Sequence, residues 1–122
     1  MDDKELEDEI ANILDRVPAA FRRRMENVAI VVAKRPLKRQ MVSLGLDPER
    51  HTLFGLYEGT PLPRRSAVDP PLLPDKITIF SEPLMQSFPH PAALREQLRV
   101  TLLHEIAHYF GMDEKEIEKL GY

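Results

Sequence analysis

No cysteine occurs in the chain, so disulfides and thiolate metal sites are both excluded. No apolar run approaches the length needed to span a membrane. The first residues, Met1-Asp2-Asp3-Lys4, are acidic and lack the apolar core of a secretory signal. The resulting expectation is a cytoplasmic protein with no membrane partner. Neither sign of charge dominates: 17 Lys and Arg face 20 Asp and Glu, for a net charge of −3. That balance gives no drive towards nucleic acid. The basic runs Arg22-Arg23-Arg24, Lys34-Arg35 and Lys38-Arg39 are short and read as solvated faces. Internal repeats, a glycine-rich phosphate loop and a serine nucleophile elbow are missing too. The 122 residues suit a single domain, 1–122, built on one core.

What is present alternates between helical and strand patterns. Residues 3–16 carry Leu6, Ile10, Ile13 and Leu14 on one face, with Asp2 or Asp3 as the cap, and predict an amphipathic helix. Pro18 ends it and can open a short second helix through Phe21 to Met25. Val28-Ala29-Ile30-Val31-Val32-Ala33 predicts a strand buried on both faces. Lys34 to Leu46 reads as a loop or a short irregular segment. Thr52 to Glu58 has strand composition, with Gly55 allowing close backbone approach. Pro61, Pro63, Pro70, Pro71 and Pro74 then predict an extended surface connector. Lys76-Ile77-Thr78-Ile79-Phe80 is a third strand of alternating character, and Pro83 to Phe88 a single helical turn. His51 and His90, in turn and loop settings, read as surface histidines.

The strongest helix begins near Ala92, after Pro89-His90-Pro91. Leu94, Leu98, Leu102, Ile106 and Phe110 repeat at spacing four and form its apolar stripe. Within it stands His104-Glu105-Ile106-Ala107-His108, followed by Tyr109-Phe110-Gly111. Residues four apart on a helix differ by about 40° around the axis, so both imidazoles project the same way. That arrangement suits two nitrogen ligands of zinc, each at about 2.0–2.1 Å. Glu105 points to a neighbouring angle, where a carboxylate can reach a metal-bound water without ligating the metal. The plainer reading is an incidental pair of histidines on a helix surface. Against it stands the apolar setting, where polar groups are costly unless paired or metal-bound.

Gly111 falls where a helix wants a left-handed terminating residue. The chain can then turn back under His108 and return a carboxylate to the metal. Glu114 and Asp113 are the candidates for third ligand, with Glu118 behind them. Asp113 has a competing task as N-cap of a last helix, with Glu116 completing a capping box. Glu114 has no such duty and is favoured, with Asp113 as the alternative.

His-Glu-Ile-Ala-His-Tyr-Phe-Gly-Met-Asp-Glu resembles the metzincin motif H-E-x-x-H-x-x-G-x-x-H/D, with Glu114 in the third-ligand place. More closely, the chain resembles the minimal zincin family, small bacterial zinc proteases with a minimal matrix-metalloprotease-like domain. The resemblance rests on Gly55-Leu-Tyr-Glu-Gly59, Thr60-Pro61-Leu62, Arg65-Ser66, Leu73 to Phe80, and Leu102 to Gly121. It implies a compact α+β domain, with a small mixed sheet of three to four strands packed on the active-site helix. It also implies a zinc cofactor, a peptide or protein substrate, and strand pairing as the mode of substrate binding. The chain departs from metzincins proper in carrying Glu in the third place and no methionine after Met112.

The chemistry expected is zinc-assisted hydrolysis of a peptide bond, with His104, His108 and a carboxylate as ligands and Glu105 as general base. Tyr57, Arg65, Tyr109 and Tyr122 are the candidate donors to the oxyanion. The rival reading is a silent zincin-fold module that holds a metal or a partner without catalysis. Glu105 speaks for chemistry, since a structural zinc site needs no general base.

Overall fold

The computed structural model describes residues 1–61 and 75–122, and the proline-rich connector, with Pro63, Pro70, Pro71, Pro74 and Arg65, lies outside them. Helix α1 (Asp3–Asp15) is capped by Asp2, whose Oδ1 accepts from the Glu5 amide at 2.8 Å. A short α2 (Ala19–Arg23) follows Pro18. Strand β1 (Val28–Ala33) comes next, then α3 (Lys38–Ser43), β2 (Gly55–Glu58) and β3 (Asp75–Phe80). Helix α4 (Ser81–Ser87) starts on the residue after β3, and α5 (Pro91–Tyr109) and α6 (Glu114–Lys119) complete the chain.

The sheet order is β1-β3-β2, with β1 parallel to β3 and β2 antiparallel to it. Ile30 pairs with Ile77, and Tyr57 with Ile77 from the other side. This is the small mixed sheet of an α+β domain. The strand buried on both faces is not β1. Its exposure alternates, with Val31 37% exposed, because it pairs on one side alone among the described residues. The central place belongs to β3, where Ile77, Thr78, Ile79 and Phe80 are all buried. Two segments are more regular than expected. Lys38–Ser43 is a helix, begun by Gln40, whose Oε1 accepts from the Leu37 amide at 2.8 Å. Gln40 Nε2 also donates to Glu58 at 3.1 Å and ties α3 to the end of β2. Residues 81–87 make two helical turns where one was expected.

Helix α5 packs on β2, β3, α1 and α4. Its stripe Leu94, Leu98, Leu102 and Ile106 is buried against Leu6 and Ile10 of α1, Ile77 and Ile79 of β3, and Leu84 of α4. Each such side chain contributes about 1.5–3 kcal/mol on burial. The C-terminal half of α5 is thereby fixed against the sheet. No helix among the described residues is long and apolar enough to cross a membrane.

Candidate metal centre

Three features hold the site. The first is a close approach. Gly55 opens β2 directly over α5, and a Cβ there would stand 2.8 Å from Thr101 Cγ2 and 3.4 Å from Glu105 Cγ. Glycine lets the strand lie on the helix. The second is the hydrogen bond that follows from this contact: the Tyr57 amide donates to Glu105 Oε1 at 3.0 Å. Glu105 is only 7% exposed, so the backbone donor offsets part of the cost of burying its charge.

The third is the reversal after α5. Gly111 takes φ +84, and the amides of Gly111 and Met112 donate back to the carbonyls of His108 and Ala107. That pattern is a Schellman turn. Asp113 then caps α6, its Oδ1 accepting from Glu116 N at 2.8 Å while Glu116 Oε1 accepts from Asp113 N at 3.1 Å. Glu114, the first residue of α6, is thrown back across both imidazoles. Its Oε1 lies 2.6 Å from His108 Nε2 and 3.3 Å from His104 Nε2. The two rings meet edge to face, with centroids 4.8 Å apart. Glu118 is exposed.

Ligand atoms of His104, Glu105 and His108 also lie within 4.8 Å of one another, which suggests a second possible donor set. The two carboxylates approach His108 at different nitrogens. Glu105 Oε1 approaches His108 at Nδ1, 3.3 Å away, whereas Glu114 approaches Nε2. His104 likewise turns Nδ1 to the Tyr122 backbone carbonyl at 3.0 Å and Nε2 to Glu114. His104 Nε2 and His108 Nε2 thus both face the Glu114 carboxylate.

Protonation makes this convergence informative. All four imidazole nitrogens face oxygen atoms, and every one of those oxygens can only accept, save through a protonated carboxyl. Two neutral rings carry two protons between them, too few for four such contacts. Extra protons or a cation must fill the gap, and the donor chemistry of two imidazoles with a carboxylate suits zinc. The Glu105 carboxylate, with help from Glu114, holds His108 above its ordinary pKa against the opposing pull of burial. Burial pushes Glu114 upward, but His108 and His104 outweigh it and leave its carboxyl below the ordinary value.

Residues 25–122 match the model of the zincin-like metallopeptidase family. The chain belongs to this family. No curated protein matches it. Membership brings the expectation of a metal ion, usually zinc, and the His-Glu-His cluster of this zincin-like chain is a potential site for one.

The remaining residues singled out in the sequence take other roles. Tyr109 is buried, and its hydroxyl donates to the Arg24 carbonyl at 2.6 Å, tying α5 to the end of α2. The Tyr57 ring packs edge to face on Tyr109, so at Glu105 this residue offers its amide. His51 Nδ1 accepts from the Asp47 amide, and His90 is exposed before α5. The backbone groups of Tyr57 and Tyr122 were missed, because a main-chain contact carries no residue-type signal. Gly55 was the one available hint.

Proposed function

We propose that this zincin-like protein is a zinc-dependent peptidase in which His104, His108 and Glu114 hold the metal and Glu105 is the general base. One observation carries the reading: a single Glu114 oxygen lies within hydrogen-bonding distance of the Nε2 atoms of both histidines. Asp113 is set aside as a ligand because its carboxylate is engaged in capping α6. When bound, zinc supplies Lewis acidity, polarising the scissile carbonyl and making water acidic near neutral pH.

The chain's own residues do the rest. Glu105 accepts the proton of the attacking water and delivers it to the leaving amine nitrogen. The Tyr57 amide holds the carboxylate in place, so little reorganisation is needed at the moment of transfer. A substrate peptide in extended form would add to a strand edge beside α5, as the family resemblance implies.

The test is metal content followed by cleavage. Purified protein should carry about one zinc per chain, and the His104→Ala, His108→Ala double variant none. Wild type should cut members of a peptide pool, and a chelator should stop it. Zinc retained by the double variant would remove the ligand set. Zinc without cleavage of any peptide would leave a metal-binding module.

A further inference from the structure

Helix α6 touches His104 from both ends. Glu114 at its start reaches Nε2, and Tyr122, just beyond its end, reaches Nδ1. A six-residue helix is about 9 Å long, a span suited to straddling an imidazole. The second contact is built, as the first is, by a glycine turn. Gly121 takes φ +89, and the amides of Gly121 and Tyr122 donate to the carbonyls of Glu118 and Ile117 at 3.0 and 3.2 Å. The Tyr122 side chain is then held by α5. Arg99 stands over its ring, 5.7 Å from the centroid, and Nη1 donates to the hydroxyl at 3.5 Å. Arg99 is itself oriented by a two-pronged pair with Glu96 at 2.7 and 3.1 Å. Tyr122, Arg99 and Glu96 together border a groove of about 860 Å³ between α1 and α5. The position of Tyr122 therefore depends on Arg99 and the glycine turn.

We propose that Tyr122 is a positioning residue: its main-chain oxygen, clamped through Arg99, fixes His104 in the tautomer that leaves Nε2 bare for the metal. Both neighbours of His104 only accept, so a neutral ring can serve one of them, and the braced Tyr122 oxygen at 3.0 Å stands nearer than the Glu114 carboxylate at 3.3 Å, which favours the proton on Nδ1. Nε2 then presents its lone pair towards Glu114. An imidazole whose distal nitrogen is held by such an outer partner keeps its orientation and gains basicity as a ligand. His108 has a different arrangement, with Glu105 at its Nδ1, so the Arg99–Tyr122 brace acts on one ligand only.

The inference rests on the zinc reading above, and two separable measurements test it. Nitrogen-resolved NMR of the metal-free protein at alkaline pH, where imidazoles are neutral, reads the His104 tautomer directly. Wild type should show Nδ1–H, and Arg99→Ala and Tyr122→Ala should each lose that preference, while Tyr122→Phe keeps it. Zinc affinity by chelator competition should fall about 10–100-fold in the Arg99→Ala, Tyr122→Ala double variant and stay near wild type in Tyr122→Phe. Circular dichroism confirms that each variant is folded. A wild-type His104 carrying its proton on Nε2 overturns the proposal, whether or not the variants fold. So does unchanged zinc affinity in a folded double variant. Wild type that binds no zinc at all would sink the metallopeptidase reading instead, while the tautomer would still decide the hydrogen bond.

Discussion

The amide of Tyr57 donates to Glu105 Oε1 across 3.0 Å, joining β2 to the acidic residue of the histidine helix. Forty-eight residues separate the two. The contact exists because Gly55 brings the strand down onto α5.

Glu105→Gln keeps that contact, because the amide oxygen of Gln can still accept from Tyr57. The fold and zinc content should be unchanged. Gln cannot take a proton from water, so hydrolysis should fall about 10²–10⁴-fold. Rates on a peptide pool at equal zinc occupancy check this; equal, chelator-sensitive cleavage would discard Glu105 as base.

Asp113 and Glu114 are neighbours with different work, and alanine should separate them. Asp113→Ala removes a helix cap and should cost about 1 kcal/mol in denaturant unfolding, with zinc retained. Glu114→Ala should lose most zinc affinity at little cost to the metal-free fold. The opposite pattern would exchange their roles.

Gly55→Ala should be destabilising by about 1–3 kcal/mol, since the new methyl would lie 2.8 Å from Thr101 Cγ2. It should also lower activity by lifting β2 from Glu105. Thr101→Ser deletes the obstructing methyl and should recover both losses in the double variant. Thermal melts and rates of the two singles and the double close the cycle.

These expectations also show how far the residues alone could be read. The stripe of α5 was visible because four leucine and isoleucine residues at one spacing meet one core. The two-faced burial of β3 was hidden: Lys76 and Thr78 give it an alternating look, yet Thr78 is buried at 3% exposure. The β-branched run of β1 suggested the centre, but among the described residues β1 pairs on one side alone, since strand order is set by pairing and not by hydrophobicity. Helix α3 is too short to show a period, and its start depends on one glutamine. At the site, side chains with distinctive chemistry announced themselves, while the amide of Tyr57 and the carbonyl of Tyr122 are groups every residue carries.

The pKa directions set the pH behaviour of the metal-free protein. His108 is raised above its ordinary 6.5, so its stabilising share is complete below that value and is lost as pH rises through the higher folded value. Glu114 is lowered from 4.5, so its share is present above 4.5 and is lost on acidification through the lower folded value. Denaturant titrations of chelated protein should therefore show stability declining on the alkaline side above about 6.5 as His108 deprotonates. Adding zinc should remove that alkaline decline, because the metal replaces the proton on Nε2. An alkaline decline that persists with zinc bound would place His108 outside the ligand set.

One asymmetry of the site bears on time. His104, Glu105 and His108 ride on a helix of 19 residues buried against the sheet, whereas Glu114 starts a helix of 6. A helix that short has little stability of its own, so local opening of α6, resisted chiefly by the buried Ile117, would cost less than unfolding the whole domain. Exchange of an ion held here would then be gated by the fraying of α6 while the two imidazoles stay in place. Its residence time would report the opening of one short segment, and strengthening the Asp113 cap would lengthen it without touching a ligand.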